Sequence, residues 1–163
     1  MGKVSPIVKY KRKLISSIVN SPELISLIDD SYVVDGECVG ADEGLIHKQI
    51  FPFYYIPETQ TEELAYVLMK VNGLGIKDTI YNRVEVIIYV VSHQRIMKVD
   101  GREGTRIDLM GEVVEELFNG RNDFGFGEME LKSNYEENIN NIHRCRTLRF
   151  LVEDFNADAC YNE

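Results

Sequence analysis

The stretch from Arg83 to Gly120, RVEVIIYVVSHQRIMKVDGREGTRIDLMGEVVEELFNG, sets the tightest limits on how this chain folds. Val84, Val86, Ile88 and Val90 alternate with Glu85, Ile87, Tyr89 and Val91, so apolar side chains stand on both faces of one strand. Such a strand belongs in the middle of a sheet, covered on both sides. The polar run Ser92 to Gly104, with its Asp100-Gly101 step, then turns the chain. A helix opens at Thr105, where Thr105 and Asp108 have the spacing of a capping box, worth about 1 kcal/mol. Ile107, Met110, Val114, Leu117 and Phe118 form one helical stripe, and Gly120 stands where a C′ glycine stops a helix.

The rest of the chain arranges itself around that unit. Ile7, Val8, Leu14, Ile15, Ile18 and Val19 recur near the helical period, and Asn20-Ser21-Pro22 ends that helix. Pro22 suits the first turn of a second helix, Glu23 to Ile28, capped by Ser21. Residues 29–49 read as an exposed acidic loop with three glycines before Leu45. Its carboxylates, Asp29, Asp30, Asp35, Glu37, Asp42 and Glu43, do not have the spacing of a calcium loop. Ile50 to Ile56 (IFPFYYI) is a strand, and Pro52 confines it to an edge. Glu63 to Val71 fits a helix or a strand, and its short length between two strands favours strand. Asn72-Gly73-Leu74-Gly75 reads as a turn, Glu128 to Ser133 as a strand, Asn134 to Asn141 as a polar connection, and Arg144 to Val152 as the last strand. The expected class is α+β, an antiparallel or mixed sheet of about five strands packed by a central helix, with N-terminal helices. One domain over 1–163 is expected: helices at 1–28, the acidic loop at 29–49, the core at 50–156 and a loose acidic tail at 157–163.

No cofactor, metal or catalytic constellation is legible. His47, His93 and His143 occur in none of the metal or triad spacings, and each reads as a surface or hydrogen-bonded residue. Cys38, Cys145 and Cys160 are odd in number and far apart, which suits reduced thiols in a cytosol. Glu85, Asp100, Glu103 and Asp108 are the acids from which a magnesium nuclease site would have to be built, but Asp108 already serves as a helix cap. The net charge of −9 argues against broad binding to a phosphate backbone. That charge is uneven: residues 1–13 carry Lys3, Lys9, Lys11, Arg12 and Lys13 and no acid. This basic segment suits an acidic partner surface or the solvated face of a helix. No apolar run approaches the ~18 residues that span a bilayer. The chemistry alone describes a soluble domain that binds other protein. The contact candidates are Lys9, Lys11, Arg12 and Lys13, Phe51 and Phe53 on the edge strand, Arg95 and Arg102 in the 92–104 loop, and Phe124 and Phe126 as exposed aromatics of the FGFG turn.

IFPFYYIPETQTE at 50–62, the apolar strand ending in His93, RIDLMGEVVEELFNG at 106–120 and RTLRFLVEDFN at 146–156 together carry a resemblance. From Ile50 onward the pattern resembles the tail terminator (tail completion, or neck) proteins of tailed bacteriophages and related phage-tail-like particles, whose β-β-β-α-β-β order is similar. The resemblance implies a non-enzymatic virion protein: a ring, usually a hexamer, that ends tail-tube growth and offers the head-joining surface. It implies the tail tube protein, a sheath protein in contractile tails and a head connector as partners, with DNA passing through an acidic lumen without specific binding. The implied location is the virion, assembled in the bacterial host cytoplasm. A head-side connector or head-closure protein is the neighbouring reading, and the small magnesium nuclease stands as the one from another class.

Overall fold

The computed structural model describes residues 6–57, 62–76, 81–125 and 127–155. Two helices come first, α1 (Pro6–Val19) and α2 (Pro22–Asp29). Ser21 caps α2 by accepting a hydrogen bond from the Leu24 amide, and Pro22 occupies its first turn. The expected acidic loop is more ordered than its composition implies. A 3-10 turn (Asp30–Tyr32), a hairpin of β1 (Val33–Val34) and β2 (Glu37–Cys38), and a short helix α3 (Ala41–Leu45) fill it. Asp35 and Gly36 both have positive φ, 51° and 79°, as a two-residue hairpin turn requires.

The main sheet has five strands in the order β3 (Ile50–Phe51), β4 (Ala65–Ile76), β5 (Tyr81–His93), β7 (His143–Phe155), β6 (Glu130–Asn138). It is mixed: β3 runs parallel to β4, and every other pair is antiparallel. The fold is therefore α+β, and β5 is its middle strand. Helix α4 (Arg106–Phe118) connects β5 to β6. Its capping box forms as the sequence implies, with Thr105 Oγ1 accepting from the Asp108 amide and Asp108 accepting from the Thr105 amide.

One face of the sheet is the core. Val67, Met69, Val86, Ile88, Val90, Leu148 and Phe150 meet Leu14 and Ile18 of α1, Leu24 and Ile25 of α2, and Ile107, Met110, Val114 and Phe118 of α4. In the helical layer α1 packs over β4, α4 packs over β5 and β7 and reaches β6, and α2 touches α1, α4 and β4. Among the described residues the opposite face is covered at one end only, by a smaller cluster of Phe51, Tyr66, Leu68, Val91 and Cys145. The two-sided cover expected for β5 is thus complete only at that end. Further along, Glu85 and Ile87 are only half-buried.

Several expected boundaries are corrected. The edge strand ends at Phe51, because Pro52 cannot donate to a ladder and the chain leaves the sheet there. Asn72 to Gly75 is not a turn: β4 continues to Ile76, with a register shift between Gly73 and Ile76 that absorbs the glycines. β6 runs through Asn138, so the polar run 134–138 is strand and not connection. Of the expected segment 63–71, strand begins at Ala65, and Glu63 and Leu64 precede it. The acidic tail from residue 156 onward lies outside the described residues.

The FGFG turn is closed by its first half. Phe124 is 7% exposed, between Tyr10 (5.7 Å) and Phe118 (6.1 Å), with the Arg121 guanidinium 4.9 Å from its ring centre. A Cβ on Gly125 would lie 2.5 Å from the Glu153 carbonyl and 2.8 Å from the Tyr10 hydroxyl, whereas one on Gly127 would meet nothing within 4 Å. Gly125→Ala should therefore destabilise the protein by about 1–3 kcal/mol, and Gly127→Ala should be close to neutral. Urea midpoints at constant m-value check this; equal midpoints for the two variants would contradict it.

Candidate interaction surfaces

Buried and paired polar groups mark what the fold uses for itself. Arg146, on β7, donates to Asp108 Oδ1 at 2.6 Å and to Asn134 Oδ1 at 3.1 Å, joining the α4 cap to β6. Burial works to raise the Asp108 carboxyl, but the bonds from Arg146 and Thr105 outweigh it and hold it below its ordinary range. Arg106 donates to the Ile96 carbonyl at 2.8 Å and the Leu27 carbonyl at 2.6 Å, tying the start of α4 to α2. On the opposite sheet face Glu85 accepts from Arg149 and from Asn72, which likewise lower its carboxyl against the effect of burial. Glu85 and Asp108 thus lie on opposite sides of the sheet, each in its own ion pair, and the imagined nuclease set does not assemble. Among the described residues no group of three or more His, Cys, Asp or Glu is placed to hold a metal ion.

His93 and His143 are paired across β5 and β7, with ring centres 5.6 Å apart. His93 Nδ1 accepts from the Arg95 amide at 3.1 Å. His143 is fully buried; its Nδ1 faces Asn140 Oδ1 at 3.1 Å, and its Nε2 has no partner among the described residues. Tyr66 closes over it, ring centre to ring centre 6.3 Å. Burial, then His93, then Arg144 depress the imidazole, so His143 is neutral in the fold. The free thiols are Cys38, half-buried, and Cys145, buried and pushed up to about 11 by that burial; Cys160 lies outside the described residues.

The accessible features are of another kind. Phe53, Tyr54 and Tyr55 follow β3 and remain 43%, 41% and 46% exposed. They form a ring cluster over the open sheet face: Tyr54 meets Tyr89 at 4.9 Å, Tyr55 meets Phe51 at 5.2 Å, and Phe51 meets Phe53 at 5.6 Å. The Lys70 ammonium sits 5.1 Å from the Tyr54 ring centre. Tyr135 on β6 is 48% exposed on the same face.

The expected contact residues divide accordingly. Phe53 is presented. Phe51 is buried, and it supports Phe53 and Tyr55 without offering itself, because its strand position points it at Tyr66. Phe124 is a core residue, and Phe126 lies outside the described residues. Lys9 and Arg12 are exposed on α1. Lys13 is exposed with its ammonium on the Asp123 carbonyl, and Lys11 is half-buried with its ammonium on the Pro52 carbonyl. Arg95 is exposed and pairs with Glu63 at 3.3 Å, and Arg102 is exposed. Tyr54, Tyr55 and Tyr135 escaped sequence reading, although the run FYY was a usable signal for the first two.

Among the described residues these surfaces define an α+β scaffold of the class that presents an open sheet face and a free strand edge. The YomW family model matches residues 21–152, leaving α1 outside the match. The chain belongs to the YomW family, a family of the Bacillus phage-region type, and the protein is phage-associated. No curated protein and no solved structure matches it.

The neutral, buried His143 gives a pH signature. The unfolded chain takes up this proton near 6.5 and the folded chain only at lower pH, so stability is lost as pH falls below about 6.5. Asp108 and Glu85, held low in the fold, lose their contribution only as pH falls further, through the carboxylate range. His143→Gln should flatten the stability change between pH 7.5 and 5.5 while leaving the more acidic limb in place. Urea midpoints at the two pH values measure this, and an unchanged slope would refute the assignment.

Proposed function

We propose that the protein is a structural component of a phage particle or phage-tail-like particle that caps the tail tube. In this reading it acts by contact and not by catalysis. Copies form a ring, expected to be a hexamer, on the last ring of tube protein, ending tube growth and presenting the surface to which the head connector joins. In a contractile particle the same ring contacts the end of the sheath. Its place is then the head-proximal end of the tail, assembled in the bacterial host cytoplasm, with DNA passing through the lumen without specific binding.

One observation carries the reading. Among the described residues the sheet face away from the helices is left open except for a short segment that holds three aromatic rings, Phe53, Tyr54 and Tyr55, in solvent beside Lys70. Clustered exposed rings next to an unfilled sheet face suit docking on another protein. Edge-on and tilted ring contacts, of Phe53 and Tyr55 with Phe51 and with each other and of Tyr54 with Tyr89, hold them before the partner arrives, which lowers the ordering cost of binding. Two further facts support it: the phage-associated family and the β-β-β-α-β-β order of the main sheet and its helix.

A particle lacking this protein should make tails of uneven and excess length that do not join heads. Electron microscopy of lysates from a deletion strain measures it. Tails of one length joined to filled heads would overturn the reading. Heads that lose their DNA while unit-length free tails accumulate would move the protein to the head side of the joint.

A further inference from the structure

The sheet ends in β6, and among the described residues β6 pairs with β7 alone. It is nine residues long, has no proline, and is exposed at Lys132 and throughout 134–138. A long free edge of this kind offers its outward amides and carbonyls to another chain. Its charge narrows what that chain is. β6 carries Glu130, Glu136 and Glu137 against one base, Lys132, which is already paired with Glu130 at 2.6 Å.

Helix α4 extends this edge. Its Asp108 is joined through Arg146 to Asn134, and its Asn119 Oδ1 accepts from the Leu131 amide at 3.0 Å, so one flank of α4 is anchored along β6 at both ends. Between the anchors lie Glu112, Glu115 and Glu116, one helical turn apart, with no ion pair among the described residues. Two copies meeting edge to edge through β6 would bring two such glutamate sets together, which like-charge repulsion disfavours.

The complementary surface lies on a different element. α1 packs over β4, away from β6 in the strand order, and exposes Lys9 and Arg12 beside Ile7 (40% exposed) and Val8 (48% exposed). Residues 1–13 hold five bases and no acid in a chain of net charge −9. We propose that copies of this chain associate head to tail, the β6–α4 edge of one copy receiving the basic, partly apolar outer face of α1 from the next. Because the two surfaces are different, each copy keeps one free after using the other. Such a contact is heterologous and builds an open chain or a closed ring. Closure into a ring rests on the tail-capping reading; the contact itself does not.

The test uses the full chain and two double variants, Lys9→Glu/Arg12→Glu and Glu112→Lys/Glu116→Lys, read by sedimentation velocity at about 50 mM and 500 mM salt. Wild type is expected to form oligomers at low salt that dissociate at high salt. Each variant alone should bind itself at least about 100-fold more weakly, with an unchanged melting temperature, and an equimolar mixture should regain oligomers containing both. A monomeric wild type at low salt would overturn the proposal. So would self-association of Lys9→Glu/Arg12→Glu equal to wild type, the mark of a symmetric β6 contact, or a mixture that stays monomeric. Unit-length, ring-bearing tails assembled from either variant would remove this contact and keep the tail-capping reading. Salt-sensitive wild-type oligomers together with normal tails in the deletion strain would do the reverse.

Discussion

Gly111 lets α4 lie on β7 closely enough that Arg146 runs directly beneath the helix. A Cβ there would come within 2.7 Å of Arg146 Cδ. The guanidinium then reaches the helix cap through Asp108 and the edge strand through Asn134. One partly buried side chain thus couples the start of α4, the strand below it and the strand beyond. Glu112 and Glu115 lie along α4 between the two points at which the helix is tied to β6, Asp108 through Arg146 and Asn119 to the Leu131 amide. A helix held an ångström or two further away would break the Arg146–Asp108 pair and leave the partly buried guanidinium without its counter-charge.

From that packing follows an uneven molecule. All the large helices cover one sheet face, and a large contiguous core forms there. Among the described residues the other face is finished only near β3, where the chain leaves the ladder at Pro52 and turns its aromatic run across Tyr66 and Tyr89. The strand edges are equally unlike. β3 covers only Val67 and Leu68 of β4, whereas β6 is long and acidic. Open face and free edge are places where burial is incomplete within one chain, and association with other chains is the physical means of completing it.

The parts legible in sequence are those whose signal is local. Thr105, Asp108 and Gly120 delimit α4 because cap and stop act within one turn, and the two-sided alternation of Arg83 to Val91 marks the central strand. What escaped depends on distant partners or on a missing contrast. β6 beyond Ser133 has water on much of both faces, so Asn134 to Asn138 carry no apolar alternation and read as a connection. Asn72 to Gly75 look like a turn because their strand pairing comes from residues on β5. Phe124 reads as exposed beside two glycines; it is buried by Tyr10, which only the fold brings near. Of the surface candidates, Phe53 and the α1 bases could be named from sequence, while Glu112, Glu115 and Glu116 were not singled out, because the links from α4 to β6 on either side of them come from distant residues.

Among the described residues the β6 edge is the longest stretch of backbone without a second strand beside it, and the proposed contacts all call on such surfaces. Hydrogen–deuterium exchange on the isolated protein and on the protein in assembled particles tests this most directly. Amides of 130–138 and of the 53–55 segment should slow by at least about tenfold on assembly, while those of β5, already central to the sheet, stay as they were. Unchanged exchange along β6 in a particle that contains the protein would contradict it.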